Sequence, residues 1–264
     1  MAVDEIMHVA VAPPDMLEAN LIKEVAAIVK KDLYETRLML VGKIPKIIAH
    51  YNNMQMAELA ARSLKDLGLV AIVCENSKLR KLSHCFRAHT LKIGQKEVLF
   101  WDNVGQSITM ESRDTFLILE GRIQAYMETG VTRTRTKLNL PVTILTGGIP
   151  VRHKVTEKTG DTYVQAECFL RLYDRKSLDP TIEILEYHCD YSFLEAEKDP
   201  FSITNFNTIV KKIRDIFPQA VFDDRLAEPY EVNLPFTTPR DNIEINCKLI
   251  YLYHLAISDL GSSA

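Results

Sequence analysis

The stretch LYETRLMLV, residues 33–41, decides how the first third of the chain is read. Tyr34, Thr36, Leu38 and Leu40 recur at every second position, which predicts a strand with one face on a core. Gly42-Lys43 supplies a tight turn, and IPKIIAHY (44–51) follows as a second strand, with Pro45 near its start where a missing N–H is tolerated. Upstream, MHVAVA (7–12) alternates Met7, Val9 and Val11 against His8, Ala10 and Ala12, and Pro13-Pro14 stops it. Asp15 then opens a helix, with Glu18 completing a capping box. Leu17, Leu21, Val25 and Val29 form its apolar stripe, widened by Ile22 and Ala26. Downstream, Asn52 or Asn53 caps MQMAELAARSLKDLG (54–68), whose apolar face is Met56, Leu59, Ala60, Ser63, Leu64 and Leu67. Gly68 suits the left-handed position after that helix, and LVAIVC (69–74) is a buried strand.

The order βαββαβ over residues 1–76 makes two split βαβ units, a ferredoxin-like sandwich of four strands and two helices. Residues 44–75, a strand, an asparagine, an Ala-rich helix and LGLVAIV, resemble small bacterial ferredoxin-like modules described as signal-transducing proteins. The resemblance implies a regulatory role. A metal-carrying version would need C-x-x-C after the first strand, where this chain has Ala12-Pro13-Pro14-Asp15. An RNA-binding version would need stacking aromatics on the central strands, which offer Tyr51 and two histidines.

Residues 77–89 read as a basic linker carrying Lys78, Arg80, Lys81 and Arg87. Beyond it HTLKIGQKEVLFWDN (89–103) predicts a hairpin turning at Gly94-Gln95, and 106–110 a short strand. Residues 115–125 fit a strand or a helix. The Gly- and Pro-bearing stretch 130–163 reads as a long loop or loose hairpin. TYVQAECFLRLYD (162–174) and IEILEYHCDYSFL (182–194) predict strands. Ser202 caps a helix with Ile203, Phe206, Val210, Ile213 and Phe217 on one face, ended by Pro218. By element order, residues 90–220 resemble a PH-like β-domain, mainly antiparallel and closed by a helix. Residues 221–264 add an extended segment and a C-terminal helix in which Asp241 and Glu244 form a capping box. That helix is apolar on nearly all sides, so it must be buried within the fold or against a partner. The fold class expected is α+β.

The 264 residues are 47% hydrophobic and 25% charged, with formal net charge −3, which excludes low-complexity disorder and gives no global field for nucleic acid. Five cysteines, Cys74, Cys85, Cys168, Cys189 and Cys247, contain no C-x-x-C pair and suit a reducing compartment. The first residues lack a basic, signal-like start, and no apolar run is long enough to span a membrane. A cytoplasmic protein is expected.

Four candidate sites follow. Cys85 and His89 are spaced C-x3-H, and with His188 they could ligate zinc. Cys189 cannot easily join His188, because neighbours on a strand face opposite ways. Arg133, Arg135 and Lys137 alternate with threonines, and with Arg152, Lys154 and Lys158 they give the window 131–158 six basic residues against Glu157 alone. By contrast, residues 173–200 hold eight acids and three bases, so the basic window suits a small anionic ligand. Gly147-Gly148 lacks the spacing of a phosphate loop, and Asp223-Asp224-Arg225 offers a carboxylate pair. The pair His50-Tyr51 lies on a strand.

No G-x-S-x-G elbow or H-E-x-x-H helix occurs. The leading expectation is a non-enzymatic regulatory or adaptor protein, without a cofactor, that binds a protein partner or itself through sheet edges and grooves. The alternative is an anion-binding protein using 131–158, and the third reading is a zinc-dependent hydrolase.

Overall fold

The first strand, β1 (Met7–Val11), forms where the alternation places it, but the helix after it starts late. In this computed structural model, which describes residues 5–138, 152–227 and 239–261 (124–165, 239–241, 260 and 261 by backbone alone), α1 is Ala19–Val29. Glu18 is its N-cap and makes no side-chain cap bond, so the expected Asp15–Glu18 box is not formed.

The deciding stretch is a helix, α2 (Leu33–Leu40), rather than a strand. The local chemistry explains the difference. The Asp32 carboxylate accepts from the Glu35 N–H at 2.8 Å, Lys31 pairs with Glu35 one turn on, and Leu, Met, Glu and Arg are good helix formers. Only Thr36 and Leu40 are buried, one turn apart on the face turned inward.

The expected four-stranded sandwich therefore has three strands. β2 (Lys46–Tyr51), α3 (Met54–Asp66) and β3 (Ala71–Glu75) form one split βαβ unit, with β1 between β2 and β3 and antiparallel to both. Asn53 caps α3 by accepting from Gln55 N–H at 2.7 Å. The buried face of α3 is Ala57, Ala60, Ala61 and Leu64, while Met56 and Leu59 are exposed. Alanines at i, i+3 and i+4 let the helix sit close to the sheet, and this places the larger side chains outside.

The short helix α4 (Asn76–Arg80) occupies the expected linker and leads to β4 (Phe86–Ala88). β5 (Thr90–Ile93), β6 (Glu97–Trp101) and β7 (Ser107–Glu111) make the expected hairpin and a third antiparallel strand. β8 (Leu117–Leu138) and β9 (Arg152–Tyr173) are long and adjacent in one sheet, so of the two readings of 130–163, loop or hairpin, the described residues follow the hairpin. β10 stops at Ile182–Leu185, short of the predicted end at 194, and a 3-10 helix over Tyr191–Glu197 follows. α5 (Ser202–Ile216), β11 (Val221–Leu226) and α6 (Pro239–Gly261) complete the described elements.

The second sheet runs β11-β8-β9-β10-β4. It is mixed, since β10 pairs with β4 and β11 with β8 in parallel, which departs from the antiparallel pattern expected for a PH-like domain. Ile118, Leu170, Leu172, Ile182 and Ile184 share a core with Leu91, Val98 and Phe100 of the β5-β6-β7 sheet and with Phe206, Ile209 and Ile213 of α5.

The chain forms two units, Met1–Ile123 with Glu167–Ala264, and Gln124–Ala166. Within the first, α6 belongs to two cores. Cys247, Ile250 and Tyr251 pack with Ile44, Phe116, Phe169 and Tyr173, while Leu249 packs with Ala10, Cys74 and Leu79. Its apolar girth is thus accounted for inside the chain. The described residues of the second unit are the continuations of β8 and β9. Among the described residues no helix is long and apolar enough to cross a membrane.

Candidate functional site

Arg133, Arg135 and Lys137 fall on β8, and Arg152 and Lys154 on β9, but their side chains lie outside the described residues, as does Gly147-Gly148 altogether. The Cys85, His89 and His188 candidates are brought only partly together. A ring nitrogen of His89 is 2.7 Å from the backbone oxygen of His188, while His188 Nδ1 is 3.0 Å from Glu167 Oε1. Cys85 is half-buried, and burial, then Glu183, push its thiol up to about 11. Among the described residues no group of three or more His, Cys, Asp or Glu side chains could hold a metal ion. Burial likewise raises Cys74, Cys189 and Cys247 to about 12 and Cys168 to about 11, so these thiols stay protonated and poorly nucleophilic.

Asp223 does not pair with Asp224, which is exposed; neighbours on a strand point to opposite faces. Instead Asp223 Oδ2 lies 2.7 Å from His254 Nε2 on α6 and accepts from Arg225 Nε at 2.9 Å. Arg225 also donates to the Lys43 carbonyl at 3.0 Å. Burial alone would raise the Asp223 carboxyl, but bonds from His254 and Arg225 hold it well below the usual carboxylate range. This cluster ties β11, α6 and the loop before β2 together.

A second polar group, missed in the sequence, runs across β4, β10, β9 and α6. Arg87, Glu183 and Arg171 are cross-strand neighbours. Arg171 donates to Glu183 Oε1 at 2.8 and 3.0 Å and to Glu244 Oε2 at 3.1 Å. Arg87 meets the other Glu183 oxygen at 2.9 and 3.1 Å. Burial would raise Glu183, but Arg171 and Arg87 outweigh it and keep the carboxyl ionised. Glu244, expected to cap α6, is used here instead. One turn further on, the buried Lys248 ammonium donates to the Lys78 carbonyl at 3.0 Å and to that of Lys81, at the C-terminal end of α4.

A surface cleft of about 570 Å³ lies beside β5. All four residues of β5 line it, along with Trp101, Phe193, Glu195 and Lys212. β5 is an end strand, paired only with β6 in its sheet. Lys212 spans to Glu197 at 2.9 Å, whereas Lys92 makes no ion pair among the described residues. Glu195 holds φ 48° and ψ −113°, a strained backbone for a residue with a side chain, at the kink of the 3-10 helix on the cleft wall. Trp101 is the only tryptophan of the chain. Comparisons with protein-family models, curated proteins and solved structures found no match. The functional reading therefore rests on these side chains and this backbone edge. Trp101 and Phe193 offer apolar area, and the outer edge of β5 offers main-chain N–H and C=O groups.

The pair His50-Tyr51 gains an unexpected neighbour. His50 lies directly opposite His8 on β1, with the two Nδ1 atoms 2.7 Å apart. Burial, then His8, Lys31 and Arg80, lower the His50 imidazole below its ordinary value.

Proposed function

We propose that the protein is a non-enzymatic interaction protein that captures an extended peptide segment of a partner as an added strand on β5. The observation that carries this reading is the lining of the cleft. An end strand contributes every one of its residues to a groove that Phe193 and the sole tryptophan also line. Strand addition takes its affinity from main-chain hydrogen bonds and its specificity from pockets for alternate side chains. Trp101 and Phe193 favour an apolar residue in the segment, and the unpaired Lys92 favours an acidic one nearby. The shortness of β5 and the charge of Lys92 also guard the edge against indiscriminate pairing. The strained Glu195 backbone is consistent with a wall shaped for a ligand.

The test is to pan a random dodecapeptide library against the full chain. The proposal expects Pro-free, alternating sequences whose binding shifts Trp101 fluorescence and is lost in Trp101→Ala. Selected peptides that leave Trp101 emission unchanged, or that bind Trp101→Ala as well, contradict it.

A second reading is favoured by one observation: the backbone over 132–137 is strand, so Arg133, Arg135 and Lys137 occupy alternate positions of β8. On this reading that row takes a small polyanion. Inositol hexakisphosphate at 100 times its Kd should raise stability by about 2.7 kcal/mol. The triple serine variant at the three positions should abolish the gain; an undiminished gain removes the reading.

A further inference from the structure

We propose that the outward face of α2 docks the protein on the surface of an anionic lipid bilayer, its apolar side chains entering the interface and its cations meeting lipid phosphates. This surface is separate from the β5 cleft and independent of the reading given there.

Exposure defines the face. Thr36 and Leu40 turn inward, while Leu33, Tyr34 and Leu38 are 51%, 73% and 53% exposed, and Val41, the C-cap, is 49% exposed. No other window of nine described residues exposes four large apolar side chains. At 3.6 residues per turn, Leu33, Tyr34, Arg37 and Leu38 fall within an arc of about 140°, in which Arg37 is the one charged member. The helix thus turns a larger apolar area to solvent than to its own core, the mark of a contact surface.

The charges select what that surface meets. Residues 30–46 hold Lys30, Lys31, Arg37, Lys43 and Lys46 against Asp32 and Glu35. Both acids are engaged, since Asp32 caps the helix and Glu35 pairs with Lys31. Lys30 and Arg37 are exposed and make no ion pair among the described residues. Lys46 Nζ stands at the far end of the helix, where it donates to the carbonyls of Leu38 and Val41. Cations therefore lie at the start, middle and end of the apolar stripe, and its acids are spoken for.

A protein partner covering this stripe would bury Arg37 among apolar side chains, which is costly unless an acid stands opposite. A bilayer interface accepts both kinds of group at once. Leucine and valine enter the boundary between headgroups and acyl chains, tyrosine keeps its ring there and its hydroxyl in water, and long basic side chains snorkel to the phosphates. Eight residues are too few to span a bilayer, so the helix lies in the plane of the surface. Four side chains insert weakly by themselves, and each cation near an anionic leaflet adds roughly 5-fold in affinity, so docking needs both contributions.

The experiment is co-flotation of the full chain with vesicles of phosphatidylcholine and phosphatidylserine, compared with vesicles of phosphatidylcholine alone. Binding is expected to the mixed vesicles, to weaken as salt is raised, and to be slight on the neutral ones. Arg37→Glu, a change of two charges, should lower the partition coefficient about 30-fold. Leu38→Asp should lower it about 10-fold or more, whereas Val104→Asp, at an exposed apolar residue elsewhere, should leave it unchanged. All three positions are exposed, so circular dichroism should show an unaltered fold. Absence of binding, equal binding to neutral vesicles, or binding indifferent to Arg37→Glu overturns the proposal. Absence of binding together with a dimer that Leu38→Asp dissociates in sedimentation equilibrium would give the face to a second copy of the chain instead.

Discussion

Two polar rows cross the sheets of this molecule, and they differ in what is left over. In the five-stranded sheet, Arg87, Glu183, Arg171 and Glu244 alternate in sign, and Glu183 and Arg171 are each about 98% buried by side chain. Each carboxylate there meets a guanidinium, and Arg171 is forked between two acids, so the row is closed. In the three-stranded sheet, His8 and His50 share one hydrogen and keep a ring open to water. A closed row holds elements together, whereas an open one still has a group that solvent can reach. The same distinction separates β10, paired on both sides, from β5, which is paired on one.

The closed row should show the largest effect when broken. Arg171→Leu would leave the buried Glu244 without its guanidinium and Glu183 with Arg87 alone, and loss of one member of a buried pair costs about 3–5 kcal/mol. Urea unfolding should register it; a loss below about 1 kcal/mol would mean that the row is hydrated and the contrast fails. Next comes Gly121, where an added Cβ would lie 2.4 Å from Phe169 Cζ and 2.9 Å from Leu226 Cβ. Phe169 is fully buried, so Gly121→Ala should cost about 1–3 kcal/mol by overpacking in the same assay.

Acid should probe the clasp formed by Asp223. Its carboxyl is depressed in the folded chain relative to about 3.9 in the unfolded one. Its contribution is therefore complete above about pH 4 and drains away as the pH falls further, because the unfolded state takes up the proton first. A plot of unfolding free energy against pH should flatten at its acid end in Asp223→Asn; an unchanged slope would show that His254 and Arg225 are not its partners in solution. Smaller still, Asn53→Ala should cost about 1 kcal/mol through the lost cap of α3, seen as a lower thermal midpoint.

What could be read from the chain beforehand was the part with local causes. The hairpin of β5 and β6, the Asn53 cap, Gly68 in the left-handed region at φ 82° and the inward Phe206, Val210 and Ile213 of α5 all follow from neighbours in sequence, whereas Ile203 is exposed and Ser202 donates to Glu186 instead of capping the helix. Residues 33–41 misled because alternation of Tyr34, Thr36, Leu38 and Leu40 fits a strand. Asp32 followed three residues later by Glu35 was the competing helix signal, and it prevailed. On α3 the expected face holds Ala60 and Leu64, which are buried, but also Met56 and Leu59, which are exposed; Ala57 and Ala61 pack inward instead, because close packing on a sheet favours the smaller side chain. The polar clusters were not legible for a different reason. Arg171 and Glu244 are 73 positions apart, Asp223 and His254 31, and His8 and His50 42, so only the folded chain makes them neighbours. The cleft is similar: Trp101 and Phe193 line the same groove only because the 3-10 helix lies against β5.

The most direct measurement is amide hydrogen exchange of Thr90–Ile93 in the full chain, with and without a peptide selected on it. If β5 is an open edge that receives a strand, some of these amides exchange rapidly in the free protein and become strongly protected in the complex, while β6 is unchanged. Equal protection of β5 in both states, or protection that appears elsewhere, would contradict strand addition at this edge.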